Sequence, residues 1–279
     1  MSKLLLIDGH NLLFRMFYGI PGPIYNTNNQ DIRAVVGFVG GVTKAIKEFS
    51  ADELIIVFDS ESSTSDRVEI DEDYKSNRVD YSQVAEEENP FTQLPMIYQV
   101  LDTMGIDYLE ATTCEADDYI ASLSKYYHDK EVIIMSTDRD FLQLVSNRIM
   151  VYSPRGKMSI EFDADKVFEK FSVEPKQIID YKILVGDKSD NIEGVKSIGP
   201  KTAVKILAEG SLDFILTGKS NLADKLYKKL EDARGVIEKN RLLITMDQDI
   251  PIERDHGLRF IEEVYDRGPM AYIKDAGLY

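Results

Sequence analysis

Near its start the chain carries a short apolar run that ends in an aspartate, LLLID at residues 4–8. The same pattern returns as LIIVFD at residues 54–59 and as VIIMSTD at residues 132–138. Runs of this length, rich in β-branched side chains and without helical periodicity, are typical of strands buried on both faces. They therefore predict three buried strands, each followed by an aspartate at its carboxyl end.

Amphipathic helices are predicted between these strands. Residues 34–49, 94–104 and 116–127 each place their apolar side chains at helical spacing. Strands that alternate with helices predict an α/β fold with a mostly parallel central sheet flanked by helices. Ligands of such sheets bind beyond the carboxyl ends of the strands. All three aspartates are expected there.

The pattern changes after Tyr152. Residues 154–157 (PRGK) predict the turn of a β-hairpin. Short helices with Gly and Pro punctuation follow and predict a helical subdomain, at residues 163–171, 175–185, 200–208, 222–233 and 234–245. We therefore expect three parts: a sheet core at 1–162, a helical subdomain at 163–255, and a tail packed on the core at 256–279.

One segment fits neither pattern. Residues 60–90 are polar, show little periodicity, and contain ten carboxylates but only three basic residues. A long segment of this kind inside a domain is usually functional or disordered. It predicts a mobile excursion from the sheet.

Composition limits the class of protein. The 279 residues include 33 Lys and Arg and 49 Asp and Glu, a formal net charge of −16, and a single cysteine. A disulfide framework is therefore excluded. No apolar run approaches the roughly 20 residues that cross a bilayer, which predicts a soluble cytoplasmic protein without a membrane partner. Taken alone, the charge also argues against nucleic acid, because phosphate contacts require Lys and Arg.

Further acidic residues join the strand-end aspartates in tight clusters. The resulting set of nine comprises Asp8, Asp59, Glu115, Asp117, Asp118, Asp138, Asp140, Asp187 and Asp190. Singly, each cluster is explained by turn chemistry or by helix starts that favour acidic residues. Together they would repel one another and resist ionisation. Hard divalent metals such as Mg²⁺ resolve this conflict. None of the three histidines belongs to the clusters, so neither a zinc site nor a Ser-His-Asp triad is expected.

Paired divalent metals held by carboxylates suit attack on a phosphodiester. Basic residues are then needed near the reacting phosphate, and the candidates are Arg15, Lys75 and Arg78. For Lys75 and Arg78 the alternative is a solvated surface in an acidic loop.

A second nucleic-acid signal lies within residues 191–208. Residues 191–203 read NIEGVKSIGPKTA, which resembles a helix-hairpin-helix. Gly194 and Gly199 allow close backbone approach, and Pro200 suits a first helical turn. Amides at such a helix start hold phosphate without reading bases. The alternative is a packing element with ordinary surface lysines.

In combination these motifs resemble the 5′-nuclease superfamily of flap endonucleases and 5′–3′ exonucleases, most closely the nuclease domain at the N-terminus of bacterial DNA polymerase I, here standalone. The likeness runs from about residue 3 to residue 251. It rests on these motifs: IDGHN (7–11), VFD (57–59), YKSNR (74–78), EADD (115–118), TDRD (137–140) and GDKSDN (186–191).

The resemblance implies a PIN-like core and two metal sites for Mg²⁺ or Mn²⁺. The implied ligands of the first site are Asp8, Asp59, Glu115, Asp117 and Asp138, with Asp118 acting directly or through water. The implied ligands of the second site are Asp140, Asp187 and Asp190, with Asp138 near both.

The resemblance also implies a helical arch within residues 60–93, with Tyr74, Lys75 and Arg78 at its base. Lys75 would contact the scissile phosphate, and Arg15 would lie near the same point. Phe17 or Tyr18 would stack on a terminal base. Where the family commonly has an aromatic residue before the basic residue of the arch entrance, Asp66 precedes Arg67.

The hairpin is implied to grip duplex DNA. Its implied DNA contacts are Gly194, Lys196, Ser197, Gly199, Lys201, Thr202 and Lys205. The backbone carbonyls of Val195 and Ile198 are implied ligands of a K⁺ ion.

We therefore expect a metal-dependent, structure-specific 5′ nuclease that cleaves near the single-strand/duplex junction of DNA, in primer removal and repair. Its substrate would be a 5′ flap or 5′ end beside duplex, and RNA primer hybrids are also expected to be cleaved. A monomer is expected in a bacterial or phage-like cytoplasm, at the nucleoid, with a DNA polymerase as functional partner. The alternatives are a related RNase and a non-catalytic DNA-junction binder. A phosphatase with Asp8 as nucleophile is disfavoured, because His10 stands where a second aspartate is needed.

Overall fold

A computed structural model describes residues 1–60, 66–252 and 267–279, with only the backbone described at Asp66. Its main sheet has six strands in the order β3-β2-β1-β4-β5-β6. The strands are β1 (Lys3–Asp8), β2 (Glu53–Asp59), β3 (Tyr108–Ala111), β4 (Glu131–Met135), β5 (Ile149–Ser153) and β6 (Ile160–Phe162). All neighbouring pairs are parallel except β5 with β6. The mostly parallel α/β sheet is therefore confirmed.

The described residues form twelve α-helices, some of which cover the two faces of this sheet and others of which form the helical subdomain. They are α1 (Gly9–Gly19), α2 (Arg33–Phe49), α3 (Asp66–Ile70), α4 (Leu94–Met104), α5 (Ala116–Tyr126), α6 (Ala164–Phe171), α7 (Ile178–Val185), α8 (Pro200–Leu207), α9 (Leu212–Leu216), α10 (Asp224–Asp232), α11 (Arg234–Ile244) and α12 (Pro269–Asp275). A two-stranded sheet, β7 (Gly186–Asp187) with β8 (Ile192–Glu193), follows α7.

The central strand shows why the apolar runs form a two-faced sheet. Residues 4–7 of β1 are completely buried. Because side chains alternate along a strand, Leu4 and Leu6 pack with α5 and the helical subdomain. Leu5 and Ile7 pack with α1, α2, α4 and α12 on the other face. Strand β1 therefore holds two layers of helices together.

The structure adds two elements that the sequence pattern missed. Strand β3 has the sequence YLEA and is only partly buried, so it lacks the continuous apolar run that marked its neighbours. Helix α9 has only five residues. The predicted helix at 175–185 is a 3₁₀ turn, Pro175–Gln177, followed by α7. The predicted hairpin turn joins β5 and β6, as expected.

The helical subdomain shares one continuous apolar core with its face of the sheet. Part of the predicted tail, residues 253–266, lies outside the described residues. Helix α12, which is described, packs against α2 and α4. The domain boundaries at residues 162 and 255 stay predictions.

The acidic segment differs from the predicted mobile excursion. Residues 61–65 lie outside the described residues. Beyond them come α3, turns, and three 3₁₀ helices: Tyr81–Gln83, Glu86–Glu88 and Pro90–Gln93. Over residues 66–93 the longest helix is the five-residue α3.

Long-range contacts fix this segment, and sequence periodicity does not reveal such contacts. The ring of Tyr81 packs edge-on against Phe14 and Phe91, with centroids 5.2 and 5.5 Å away. Tyr74 is only 5% exposed. The segment is therefore anchored to both the sheet core and the helical subdomain.

Among the described residues, no helix is both long enough and apolar enough to cross a membrane.

The two hairpin glycines differ in how much space surrounds them. A Cβ on Gly194 would lie 2.4 Å from the carbonyl carbon of Val185 and 2.5 Å from the amide of Gly186. A Cβ on Gly199, whose φ is −104°, would meet nothing within 4 Å. Close approach of the protein's own backbone therefore requires glycine only at Gly194.

We expect Gly194→Ala to destabilise the protein by about 1–3 kcal/mol, because backbone must shift to accept the methyl group. Thermal unfolding should then begin several degrees lower, at about 2–4 °C per kcal/mol. Gly199→Ala is the matched control and should cost less than about 1 kcal/mol, from N-cap preference alone. Equal losses in the two variants would contradict this assignment.

Candidate metal centre and nucleic-acid surface

Three neighbouring strands deliver the first carboxylates. Asp8 ends β1, Asp59 ends β2, and Asp138 follows β4 by three residues. Because β1 lies between β2 and β4, the three meet at one sheet edge, as the sequence predicted. Asp8 caps α1 by accepting the Asn11 amide at 3.0 Å, and it accepts the Ser136 hydroxyl at 2.9 Å.

Burial raises the pKa of Asp8 to about 7, and the charges of Asp59 and Asp138 add to the rise. Burial acts in the same direction on Asp59. Hydrogen bonds from the His10 ring at 3.2 Å and the Ala116 amide at 2.9 Å nevertheless leave the pKa of Asp59 below its usual value. At this sheet edge the ionised form of Asp59 is therefore stabilised, whereas the ionised form of the neighbouring Asp8 is destabilised.

The start of α5 supplies a second group. Glu115, Asp117 and Asp118 each offer a carboxylate oxygen within 4.8 Å of the others. Burial, followed by the charge of Glu115, raises the pKa of Asp117 well above its usual range. Such a group is suited to receive a cation.

Arg67 holds part of this group, and the sequence analysis did not assign it a role there. Its guanidinium donates two hydrogen bonds to Asp118 and one to Glu115, all at 2.8 Å, and one to the carbonyl of Thr245 at 3.0 Å. Asp118 also accepts the Asp247 amide at 2.8 Å. Asp118 is therefore oriented by α3 and by the end of α11, which fits an indirect role at a metal better than direct ligation.

A third group forms around Lys182 on α7. Its ammonium contacts Asp140 and lies 2.6 Å from Asp187. Asp140 is tied to the sheet edge, because its amide donates to Asp138 at 2.9 Å. Sequence analysis missed Lys182 as well. The available signal was a lysine in the mostly apolar helical run of residues 178–185 (IIDYKILV), which also contains Asp180.

Asp190 lies three residues after Asp187, and its carboxylate pairs with the guanidinium of Arg78 at 2.9 Å. Burial raises the pKa of Asp138, Lys182 lowers it, and Asp187 raises it. Burial raises the pKa of Asp187, but the charge and hydrogen bond of Lys182, together with hydrogen bonds from Ser189, leave it below its usual value. The predicted second-site carboxylates are therefore gathered around two cations.

Lys75 connects the groups. Its ammonium lies 2.8 Å from Glu115, and its charge opposes the burial that raises the pKa of both Asp117 and Asp138. Its φ of 54° is in the left-handed region, unusual for a lysine. A hydrogen bond from its amide to the Asp190 carbonyl at 3.0 Å holds this conformation. The structure thus fixes Lys75 in the middle of the cluster.

The donor chemistry fits hard divalent cations. The gathered ligands are carboxylate oxygens, which Mg²⁺ and Mn²⁺ favour. Burial first, and neighbouring carboxylates after it, raise the pKa values of Asp8, Asp117 and Asp138, so the protein's own cations do not fully stabilise the ionised forms of these groups. Added divalent charge would remove this conflict.

Two predicted nucleic-acid contacts, Phe17 and Tyr74, need correction, whereas the contact predicted for Arg15 stays a prediction. Phe17 is 3% exposed, and the Arg33 guanidinium covers its ring at 4.3 Å, so it cannot stack on a base. Tyr74 is buried and donates to Glu115 at 3.3 Å, so it belongs to the carboxylate cluster and not to a DNA surface. Arg15 lies near Arg155 and Tyr152, and burial followed by Arg155 lowers its pKa.

Tyr18 remains accessible, with 58% of its surface exposed. Its hydroxyl lies 3.1 Å from the Tyr81 hydroxyl and donates to the Glu88 carbonyl at 3.3 Å. Of the two aromatic candidates, only Tyr18 could meet a base. The error at Phe17 arose because adjacent helical positions point about 100° apart, so Phe17 can be buried while Tyr18 is exposed.

The hairpin lies directly beyond Asp187 and Asp190. The side chain of Asn240, completely buried, donates to the carbonyls of Ile183 at 3.2 Å and Glu193 at 2.8 Å. This pins the hairpin to α11. The hairpin's apolar anchors, Val195 and Ile198, are buried in the core.

The opposite side of the hairpin faces solvent. Within the described part of the chain, Lys196, Lys201 and Lys205 are exposed and form no ion pair. Ser197 has a φ of 63°, and Gly199 caps α8. Thr202 lies in the first turn of α8 and is partly exposed. Apart from Gly194, which packs against the backbone of Val185 and Gly186, the predicted DNA contacts of the hairpin are at least partly exposed.

The fold combines a resolvase-like sheet domain with a helical domain that carries the hairpin. The family model "5′-3′ exonuclease, N-terminal resolvase-like domain" matches residues 3–172. The model "5′-3′ exonuclease, C-terminal SAM fold" matches residues 173–262. The chain therefore belongs to the 5′-3′ exonuclease family.

Individual relatives agree with this assignment. The 5′-3′ exonuclease of Aquifex aeolicus is 36% identical over 258 residues, covering 91% of this chain and 84% of that protein. The thermostable DNA polymerase I of Thermus thermophilus is 37% identical over 262 residues, covering 91% of this chain. This chain spans about 30% of the length of that polymerase.

A solved structure shares the fold. The D15 flap endonuclease of bacteriophage T5 superimposes with a TM-score of 0.73 at 22% identity, covering 99% of this chain and 100% of that one.

Removal of Arg67 should test whether the carboxylates at α5 share a cation site. In a chelator, Arg67→Met leaves Glu115 and Asp118 short of positive charge, and we expect a loss of about 3–5 kcal/mol. Saturating Mg²⁺ or Mn²⁺ should recover much of this loss in thermal unfolding, because the metal supplies the missing charge.

Arg234→Met is the matched control, since Arg234 pairs with Glu231 on the surface of the subdomain. Such a pair contributes about 0–1 kcal/mol, and metal should not alter its effect. A loss at Arg67 that is the same with and without metal would contradict a cation site at this position.

The raised pKa of Asp8 makes a separate prediction for the metal-free protein. The folded state keeps a proton on Asp8 up to about pH 7, whereas the unfolded chain releases it near pH 4. Between these values the folded state binds more protons, so its stability falls as pH rises, by up to about 1.4 kcal/mol per pH unit.

Asp8→Asn binds no proton at this position and keeps similar hydrogen-bonding geometry. In a chelator its thermal unfolding temperature should therefore fall less steeply than wild type between about pH 4 and 7. Parallel curves would show that Asp8 titrates in its ordinary range.

Proposed function

We propose that this protein is a divalent-metal-dependent, structure-specific 5′ nuclease that hydrolyses phosphodiester bonds near the junction of a 5′ flap or 5′ end with duplex DNA. The observation that carries the proposal is the convergence of nine carboxylates around Lys75, next to a solvent-facing basic hairpin. The 5′-3′ exonuclease of Aquifex aeolicus supports the reaction class. The T5 structure, a flap endonuclease in complex with DNA and metal ions, supports the substrate class.

The carboxylates would hold Mg²⁺ or Mn²⁺. Direct ligands would be Asp8, Asp59, Glu115, Asp117 and Asp138 on one side, and Asp140, Asp187 and Asp190 on the other. Bound divalent ions supply a lowered pKa for water and stabilisation of developing negative charge on phosphate oxygens. Asp118, held by Arg67, would orient the start of α5.

The cations of the cluster would act on the phosphate. Lys75 and Arg78 now neutralise Glu115 and Asp190. When divalent ions take over that neutralisation, both side chains become available to the scissile phosphate. Lys75 is the better placed of the two, because it lies between the groups and its backbone is fixed by Asp190.

The hairpin would bind the backbone of the duplex. The N-terminus of α8, together with Lys196, Lys201 and Lys205, can hold phosphates without reading bases. A K⁺ ion on the carbonyls of Val195 and Ile198 is part of this proposal. The Val195 carbonyl already accepts the Ile198 amide at 3.0 Å, so the ion would use its second lone pair.

The wider role follows from the relatives. Thermus thermophilus DNA polymerase I contains a region similar to this chain within a much longer polymerase, so a DNA polymerase is the proposed functional partner in primer removal and repair. Because the hairpin would contact the nucleic-acid backbone and not the bases, RNA primer hybrids are also proposed substrates. We expect the protein, as a monomer, at the nucleoid of a bacterial or phage-infected cell.

One assay tests the reaction directly. End-labelled 5′-flap DNA is incubated with Mg²⁺ or Mn²⁺, with and without a chelator, beside a matched RNA flap. We expect metal-dependent cleavage of the DNA flap near its junction. Binding without any product would favour a DNA-junction binder, and cleavage of only the RNA flap would favour an RNase.

Lys75→Ala separates chemistry from binding. We expect kcat to fall by about 10²–10³-fold, as for removal of one transition-state donor, while the Kd for flap DNA changes little because the hairpin is intact. Lys44→Ala, on the exposed side of α2, is the control and should match wild type. Equal loss of binding and turnover would contradict the assigned role of Lys75.

A further inference from the structure

A shallow cleft beside Asp138 is lined in part by basic side chains. It is lined by strands β5 and β6, by the loop after β4, and by α6. Arg139, Arg155 and Lys170 line its sides, and the hydroxyl-bearing Ser153 also lines it. The apolar part of the lining consists of Leu142, Val151, Ile160 and Phe162.

The basic residues of the cleft have no ionic partners. Over the described ranges 1–60, 66–252 and 267–279, no carboxylate pairs with Arg139, Arg155 or Lys170, or with Arg15 nearby. The metal-centre cations, in contrast, each pair with a carboxylate. The cleft and its surroundings therefore gather four cations without a carboxylate partner in a chain of net charge −16.

These cations also repel one another. Burial lowers the pKa of Lys170, and the charges of Arg139 and Arg155 lower it further. Burial and then Arg155 act in the same way on Arg15. The Lys170 ammonium is held 4.8 Å above the Phe162 ring, so it stays near the cluster. An anion in the cleft would relieve this repulsion.

We propose that this cleft binds the phosphate backbone of the substrate strand after it crosses the metal centre, and that Arg139, Arg155 and Lys170 contact it. The inference rests on the proposed function, since it concerns the same substrate. Arg15 would act as a positioning residue behind Arg155, in place of its predicted contact with the scissile phosphate.

The position of the cleft supports a nucleic-acid strand over a free anion. Sheet order places β2 on one side of β1, and β4, β5 and β6 on the other. Asp138 belongs both to the carboxylate cluster and to the cleft lining. The cleft is therefore continuous with the metal centre, and a strand leaving Lys75 can enter it directly.

The test uses the full chain with Arg155→Gln/Lys170→Gln, two exposed changes that leave the core intact. In a chelator, which prevents turnover, we expect the Kd for 5′-flap DNA to rise about tenfold. The slope of log Kd against log salt should fall by about 2, close to 0.9 for each lost duplex phosphate contact. At saturating DNA and Mg²⁺, kcat should stay within about twofold, so the defect appears in KM.

Lys44→Gln/Lys47→Gln on α2 is the matched control, because it removes the same charge from an exposed surface of the other helical layer. Equal behaviour of the two double variants would overturn the cleft assignment. Binding of inorganic phosphate to wild type and to the double variant is also measured. Weaker phosphate binding to the variant with unchanged affinity for flap DNA would overturn the assignment and would indicate a free-anion site. Absence of cleavage by wild type would instead refute the proposed function, since wild type is the reference in every arm.

Discussion

Mutual repulsion among nine carboxylates is the constraint on which this structure depends. The acidic segment resolves much of it: its three basic residues, Arg67, Lys75 and Arg78, all pair with carboxylates of the cluster. Lys182 adds a fourth cation from α7. Those acidic residues of the segment whose side chains the structure describes lie mainly at the surface. The basic side chains of the segment therefore contact the carboxylate cluster, whereas its acidic side chains lie mainly toward solvent.

The uneven distribution of charged residues changes how the net charge of the protein should be interpreted. Outside the nine clustered carboxylates and residues 60–90, the chain has equal numbers of acidic and basic residues. The overall value of −16 thus conceals local positive surfaces at the hairpin and at the cleft beside β5. Net charge describes solubility and long-range attraction, whereas binding depends on where the charges lie.

The sequence predicted the parts of the fold that repeat along the chain. Buried strands and amphipathic helices carry periodic signals, and strand-end aspartates share an edge in any parallel sheet. Residues whose roles depend on contacts between distant segments were missed or misplaced. In the sequence, Arg67 is one basic residue in an acidic segment, and Lys182 is a lysine in a mostly apolar helix. Phe17 could not be distinguished from Tyr18 as a base-stacking residue. Their environments come from elements tens of residues away, which local patterns do not encode.

The hydrogen bond from the Lys75 amide to the Asp190 carbonyl joins the acidic segment to the loop that carries the last carboxylates. Arg78 reinforces that joint through the Asp190 side chain. A ligand that shifts the segment must therefore also shift Asp190, and a cation that draws Asp190 inward must shift the segment. Such coupling is reciprocal: whatever factor a bound strand adds to metal affinity, the metal adds to strand affinity. Metal and substrate loading would then be a single cooperative event, with the backbone at Lys75 as its mechanical link.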